Sequence, residues 1–595
     1  MNPLKKQKKI MKTKNMIWAA LSMTAALVMT ACSNDDNMVE TPAAPQAEVK
    51  TIPYSVTVSQ GGDATTRATV DDDMKTLKFA AGDKLYIESG ERPDLKGILT
   101  LKAGDEGKTS DATFEGTISY TGDAPADDIW LYAKLVGTND VNYYIVDDKV
   151  WGINLPSAYF DDVKTAVEEY SYLIGASTYG EKKFTLVQLM AFLNFEITFE
   201  DGTAAGTTLT TVVSNGGPNP DPYYSADVTT KTEGGKVVAK FVLPVDKGIT
   251  LSGATVKMGD KFALIIKDAT LDGKVYNVKR TVKTMKTTDL STIATDYTAQ
   301  DYEVLTGTLA NKVKISIADG AIVTLKGMDI NGSSTWKDGS SAGITCEGDA
   351  TIILEDVNTV KGFNASYPGI YVPEGKTLTI LGSGKLTASS GERGDGIMGG
   401  AGIGGGGSSD NANCGNIVIK GGTIVATGGV VKDGMGAGIG GSGGTCGDIT
   451  ISGGNVTAKG GNASAGIGGS SAGACGNITI SGGTVDATGG GYQGGGGYQG
   501  GGAGIGSGAY TSCGTITLSG GTVIAKGGTN QSSDCAAAGI GGGFSNAACG
   551  VITITAGVTS VTATKGGDGA QSIGKGKDGE DITVNIEDGD KVTQN

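Results

Sequence analysis

Few residue types in this chain could carry out chemistry. Its 595 residues include no histidine, which removes Ser/His/Asp and Cys/His nucleophilic machinery, His-ligated zinc and any imidazole proton shuttle. Catalysis would have to rest on carboxylates, Lys, Arg, Tyr or Cys. Between residues 401 and 570 the carboxylates are Asp410, Asp433, Asp448, Asp486, Asp534 and Asp568, with no Glu and no Arg; Arg393 stands just before that stretch. Polysaccharide hydrolysis needs two or three carboxylates converging on a cleft, and elimination needs an Arg or Lys base beside a calcium-binding carboxylate cluster. No two of these aspartates fill the same slot in adjacent copies of the repeat in which they lie, so Asp448 and Asp486 read as parts of a solvated face. Cys414, Cys446, Cys475, Cys513 and Cys549 do recur at one slot, each followed by Gly. Aligned cysteines either bridge in pairs in an oxidising compartment or stack as small buried thiols; five is an odd number, and the expectation favours thiols. One ligand per copy in a straight row cannot surround a metal tetrahedrally, so neither metal nor cofactor is expected.

Binding has better candidates than catalysis. Thr450, Thr479, Thr517 and Thr553 are the middle residues of successive Ile-X-Ile (or Ile-X-Leu) triplets, a row interrupted upstream by Val418. They would present a flat ladder of hydroxyls and methyls, suited to an extended polysaccharide. The longest loop, from Gly489 to Gly502, repeats Gly-Tyr-Gln-Gly-Gly-Gly and carries Tyr492, Gln493, Tyr498 and Gln499. Tyrosine faces can stack on sugar rings, and the amides can hydrogen-bond hydroxyls.

The element that positions these residues is an internal repeat. Ala-Gly-Ile begins at Ala401, Ala437, Ala465, Ala503 and Ala538, in steps of 36, 28, 38 and 35 residues, and degenerate copies sit at Ala342, Pro368 and Gln571. Each copy reads Ala-Gly-Ile-Gly, a glycine-rich loop, Cys-Gly, an Ile-X-Ile strand, Gly-Gly and a second strand. Period two assigns strands and places Ile467, Ile478, Ile480, Val485 and Ala487 on one side, with Ile439, Ile449, Ile451, Val456 and Ala458 in the same slots one copy earlier. Such a copy cannot bury enough to fold alone. Stacked copies join the isoleucines into ladders, which is the logic of a parallel β-helix, with glycine pairs at the corners. The chain holds 100 glycines, well over twice the average usage of roughly 7 per cent. They lack the strict third-residue period of collagen, and Ile and Val recur in register with them, which excludes a disordered linker.

Ahead of the repeats, short alternating runs between residues 54 and 299 are separated by Gly-Asp and Asp-Gly turns, the signature of antiparallel strands with one buried face. At the amino terminus, Lys5, Lys6, Lys8, Lys9, Lys12 and Lys14 precede an apolar run from Met16 to Ala31 that stops at Cys32, a secretory signal. Leu27-Val28-Met29-Thr30-Ala31-Cys32 resembles a bacterial lipobox, a resemblance that implies Cys32 as the acylated first residue of the mature chain. Ser33-Asn34-Asp35-Asp36 resembles the acidic export signal of Bacteroidota surface lipoproteins.

Thr66-Arg67-Ala68-Thr69, Phe79-Ala80-Ala81-Gly82-Asp83-Lys84-Leu85-Tyr86-Ile87 and Ala112-Thr113-Phe114-Glu115-Gly116 resemble the fimbrillin-like lipoproteins of Bacteroidota. The segment from Phe184 to Ile197 is similar to the one that opens the second sandwich lobe in that family. The resemblance implies anchor, shaft or tip subunits of surface fibres, some matured by proteolysis after an arginine that Arg67 would match. The repeats resemble glycine-rich cell-surface β-helix proteins, one branch of which is carbohydrate-binding.

The expected fold is all-β, with fimbrillin-like β-sandwich lobes followed by a parallel β-helix. The expected division is a lipoprotein signal peptide at 1–31, lipidated Cys and tether at 32–50, lobe 1 at 51–170, lobe 2 at 171–300 and the β-helix at 301–595. A net charge of −15 disfavours a nucleic-acid partner. The expected function is that of a non-enzymatic adhesin or carbohydrate-binding protein. It would be lipid-anchored in the outer membrane, exposed on the cell surface, and partnered by a glycan and by other fimbrial subunits. The alternatives are a structural fimbrial or spacer component without a glycan ligand, and a pectin-active β-helix enzyme.

Overall fold

A computed structural model of the chain describes residues 48–60, 79–108, 110–136, 144–146, 149–151, 160–163, 165–166, 172–188, 190–214, 222–251, 253–266, 269–272, 274–331, 341–391, 399–407, 411–429, 435–491, 500–530 and 534–595. It is all-β apart from short helical turns. Among the described residues no helix is long and apolar enough to cross a membrane. The chain divides into two compact units, one of residues up to Asn194 with Val242–Ile249 and Leu271–Asn277, the other of the remainder to Asn595.

In the first unit seven strands close on themselves in the order Val49–Gln60, Ala112–Thr121, Lys96–Leu101, Lys84–Glu88, Trp130–Val136, Tyr172–Thr178 and Lys183–Gln188. This corrects the expected first sandwich lobe: it is a closed barrel. The cause is the length of Val49–Gln60, 12 residues. Val49–Val58 pairs antiparallel with Ala112–Thr121, while its end, Thr57–Gln60, pairs in parallel with Lys183–Leu186. One strand thereby joins both ends of the sheet, and closure leaves no exposed edge. Period two turns Val56, Val58, Leu85, Ile87, Leu99, Phe114 and Leu131 inward, all buried, and the Phe79 and Phe114 rings meet edge to face at 5.4 Å.

An eight-stranded sheet follows, in the order Pro222–Thr229, Thr208–Ser214, Thr255–Met258, Lys261–Ile265, Val275–Thr284, Met190–Phe199, Lys236–Asp246 and Lys231–Glu233. Phe195 and Phe241 stack in it at 4.6 Å.

From Lys286 onward successive coils pair strictly in parallel. Three ladders run along the stack. The Ile-Gly ladder is a ten-stranded sheet that includes Ile403–Gly404, Ile439–Gly440, Ile467–Gly468, Ile505–Gly506 and Ile540–Gly541. The Ile-X-Ile ladder includes Asn416–Ile419, Ile449–Ile451, Ile478–Ile480, Ile516–Leu518 and Ile552–Ile554. The third, here the Val-X-Ala ladder, includes Lys385–Ser389, Thr423–Thr427, Asn455–Lys459, Thr484–Thr488, Thr522–Lys526 and Ser560–Thr564. Ile449, Ile478 and Ile516 stand in register and fully buried, and Val456, Val485 and Val523 do the same one strand on. The interior isoleucine and valine stacks expected from the repeat are therefore present, and the carboxy-terminal region is a parallel β-helix.

Two glycine positions explain the composition. Gly440 has φ +128°, and a Cβ there would lie 2.1 Å from the carbonyl oxygen of Gly468 on the next coil. Gly454, at φ +85°, would place one 2.7 Å from the oxygen of Gly422. Both need a backbone region that L side chains rarely adopt and space that a methyl would fill.

The cysteine row forms bonds that the sequence reading did not favour. Cys414 joins Cys446 and Cys513 joins Cys549, with Cα separations of 4.4 and 4.5 Å, while Cys475, in register between the two pairs, stays a buried thiol. Parallel coils bring equivalent Cα atoms to the short end of the range a disulfide spans, so adjacent members pair and the odd one is left over. Burial pushes the Cys475 thiol up to about 12, and Asp448 adds to the rise.

Candidate functional site

The outer rows of the coils follow from the same alternation that fills the core. Thr450, Thr479, Thr517 and Thr553 are mutually in register, with Val418 before Thr450 and Thr379 before Val418. All four are half-buried, so their hydroxyl–methyl row is flat and only partly open to a ligand. Tyr492, Gln493, Tyr498 and Gln499 lie outside the described residues, as do Cys32 and Arg67. The base of the tyrosine loop is described: the amide of Gly502 donates to the carbonyl of Gly490 at 3.0 Å.

The adjoining Val-X-Ala ladder offers the more open surface, and the Ile-X-Ile pattern gave no pointer to it. Its strands turn three residues each outward, and the registers align them in three rows. The first contains Lys385, Thr423, Asn455, Thr484, Thr522 and Ser560; the second Thr387, Val425, Thr457, Asp486, Ile524 and Thr562; the third Ser389, Thr427, Lys459, Thr488, Lys526 and Thr564. Asn455, Thr457, Lys459, Thr484, Asp486, Ile524 and Lys526 are exposed. Coils repeat at roughly 4.8 Å and alternate residues along a strand at roughly 6.6 Å, so the face is a two-dimensional lattice of hydroxyls with sparse charges. The signal in the sequence was the Thr-Val-X-Ala-X pattern after each Gly-Gly pair.

The carboxylates sort into structural roles. Asp448 is solvated as expected, yet it is also a rung. Asn416 Oδ1 accepts from the amide of Asp448 at 2.8 Å, Asp448 Oδ1 from Asn477 at 2.7 Å and Asn477 Oδ1 from Thr515 at 2.9 Å. Upstream, Asp319 accepts from Asp349 at 2.8 Å and Asp349 from Thr377 at 2.7 Å. Each side chain thus satisfies an amide one coil further on, at the corner entering the Ile-X-Ile strand. Asp486 stands exposed between Thr457 and Ile524. Asp410 and Asp433 lie outside the described residues. Glu303, 1 % exposed, accepts from Lys286 Nζ and Thr288 Oγ1, each at 2.6 Å, from Tyr297 Oη, and from the amide of Gln300 at 2.8 Å. Burial works to raise its pKa, but the bonds from Lys286, Thr288 and Tyr297 outweigh it and hold the carboxyl below the usual range. A carboxylate so fully engaged at the first coil fixes the start of the stack rather than offering a general acid. Among the described residues no group of three or more His, Cys, Asp or Glu side chains could hold a metal ion.

A family profile described as a beta helix repeat matches residues 417–444, 449–471 and 516–544, the coils whose ladders are set out above. No curated protein matches the chain. Among solved structures, a candidate cell adhesion protein from Bacteroides uniformis is similar at 14% identity and a TM-score of 0.22, covering 39% of this chain and 96% of its own. The fimbrial anchor protein Mfa2 from Porphyromonas gingivalis is similar at 12% identity and a TM-score of 0.22, covering 39% and 91%. A fimbrial assembly protein from Parabacteroides distasonis gives 13% identity and a TM-score of 0.20, covering 39% and 91%.

Proposed function

We propose that the chain is a non-enzymatic, lipid-anchored surface adhesin whose β-helix binds an extended polysaccharide along its outer faces. The observation that carries this reading is the register of the outward rows: a rigid surface several coils long repeats hydroxyl and methyl groups at the strand spacing, which suits a ligand that is itself periodic. Coils locked by ladders on three sides and by disulfides lose little freedom on binding, so weak contacts repeated along the surface add up. The acylation of Cys32, the export signal at Asp35 and Asp36, the loop contacts of Tyr492, Gln493, Tyr498 and Gln499, processing at Arg67 and assembly with fimbrial subunits belong to the same reading and rest on the sequence. The stapled, in-register stack also favours a second reading, a rigid spacer with no ligand.

A glycan array with the purified mature chain separates the two. The adhesin reading expects binding that falls when Thr450, Thr479 and Thr517 are changed to Val, which removes hydroxyls at constant shape, or when Tyr492 and Tyr498 are changed to Ala. Absence of binding to every glycan class would leave the spacer. For the anchor, Cys32→Ala should leave a soluble or unprocessed precursor; retention of the mature mutant protein in washed outer membranes would refute acylation at that residue.

A further inference from the structure

We propose that the Val-X-Ala face takes an extended glycan carrying an acidic group on alternate sugars, laid along the coil axis. This deepens the glycan-binding reading above and rests on it. On a chain of net charge −15, the face presents Lys385, Lys459 and Lys526 exposed, with no side-chain ion pair or hydrogen bond among the described residues. Lys459 and Lys526 share one row with Thr488 between them, two coils apart. At the strand spacing that separation is about 10 Å, the order of one disaccharide in an extended chain.

The intervening coil carries the opposite sign. Asp486, exposed, sits one row over on the coil of Thr488. Charge along the axis therefore runs positive, negative, positive at Lys459, Asp486 and Lys526. A ligand with a carboxylate on every sugar would bring one of them against Asp486. A ligand with acidic and neutral sugars in alternation meets lysine at its charges and, between them, a carboxylate that accepts from sugar hydroxyls. Lysine is a compact, hydrated point charge, suited to single carboxylates spaced apart. Thr457 and the 43 % exposed Ile524 flank Asp486 in its row and offer methyl groups to the apolar faces of sugar rings. A duplex carries one charge per roughly 1.7 Å of axis, far denser than lysines two coils apart, and is not the fit.

The test uses the mature chain against four probes: hyaluronan oligosaccharides, with uronate on alternate sugars; polygalacturonate, with uronate on each; neutral cello-oligosaccharides; and duplex DNA. The expected order places hyaluronan first. Changing Lys459 and Lys526 together to Gln should weaken hyaluronan about tenfold, the loss expected of two solvent-screened ion pairs, and flatten its salt dependence, at unchanged melting temperature. Asp486→Asn should improve polygalacturonate selectively. Hyaluronan binding indifferent to the lysine pair, tighter binding of polygalacturonate by the unmodified chain, or lysine-dependent binding of duplex DNA in preference to hyaluronan would overturn the proposal. Binding of the neutral probe alone overturns the acidic assignment but leaves the glycan reading; binding of no glycan removes both.

Discussion

Replacing Ile478 tests the ladder directly. Its side chain is fully buried between Ile449 and Ile516. Its amide donates to the carbonyl of Thr515 at 2.8 Å, and the carbonyl of Asn477 accepts from Ile449 at 2.8 Å. Those bonds hold the coils on either side at a fixed separation, so the site cannot collapse around a smaller residue. Ile478→Ala should therefore cost toward the upper part of the roughly 2–5 kcal/mol typical of such truncations. Ile478→Asp should cost more, because a carboxylate would stand among isoleucines without a partner. Thr479, the next residue, points outward, and Thr479→Asp should fall within about 1 kcal/mol of the parent. Urea unfolding followed by far-ultraviolet circular dichroism reads the global difference, and amide exchange reads the local one at Ile449, Ile478 and Ile516. Equal urea midpoints for the two aspartate variants would mean that the faces are reversed and that period two does not govern this strand.

Reduction should destabilise the β-helix by about 3–4 kcal/mol for each disulfide under the loop-entropy relation, given sequence separations of 32 and 36 residues; non-reducing peptide mapping should find Cys475 alkylated only after unfolding. The Glu303 carboxyl is held below its ordinary value, so its contribution is fully present above the unfolded pKa of about 4.3 and is lost as pH falls toward the folded one. Glu303→Gln should flatten that part of the acid-stability curve, and an unchanged slope would argue against the Lys286 and Thr288 contacts. Asn477→Ala removes the acceptor for the amide and hydroxyl of Thr515 and should cost about 0.5–1.5 kcal/mol, with faster amide exchange at Thr515, whereas Asn477→Asp should be mild because Asp448 already fills that rung one coil earlier.

The ladders were legible because each isoleucine answers to a local period and to a slot repeated five times, so one rule fixes both strand and face. Barrel closure was not, since it turns on a parallel pairing of Thr57–Gln60 with Lys183–Leu186, more than a hundred residues away, with no local signature. The amide-capping rungs were hidden by their chemistry: Asn416, Asp448, Asn477 and Thr515 share a slot but not a residue type, and Asp448 alone looks like any solvated acid. The cysteine pairing lay beyond reach because in-register spacing permits every adjacent pair equally. The lysines of the Val-X-Ala face were visible singly as Lys459 and Lys526; only the register shows that they share a row.

The two disulfides also decide how the stack would respond to being pulled. A chain drawn from one end of a solenoid peels coil by coil, and each freed residue adds up to roughly 3.5 Å of contour length. The bond between Cys414 and Cys446 shunts load past the 32 residues of separation between them, hiding on the order of 110 Å of slack, and the bond between Cys513 and Cys549 does the same for its own coil. The turn from Cys446 to Cys513, with Cys475 in its middle, has no such shunt and can extend. Under tension the stretch from Cys414 to Cys549 would behave as two inextensible links joined by a compliant one, its give confined to the coils that hold the unpaired thiol.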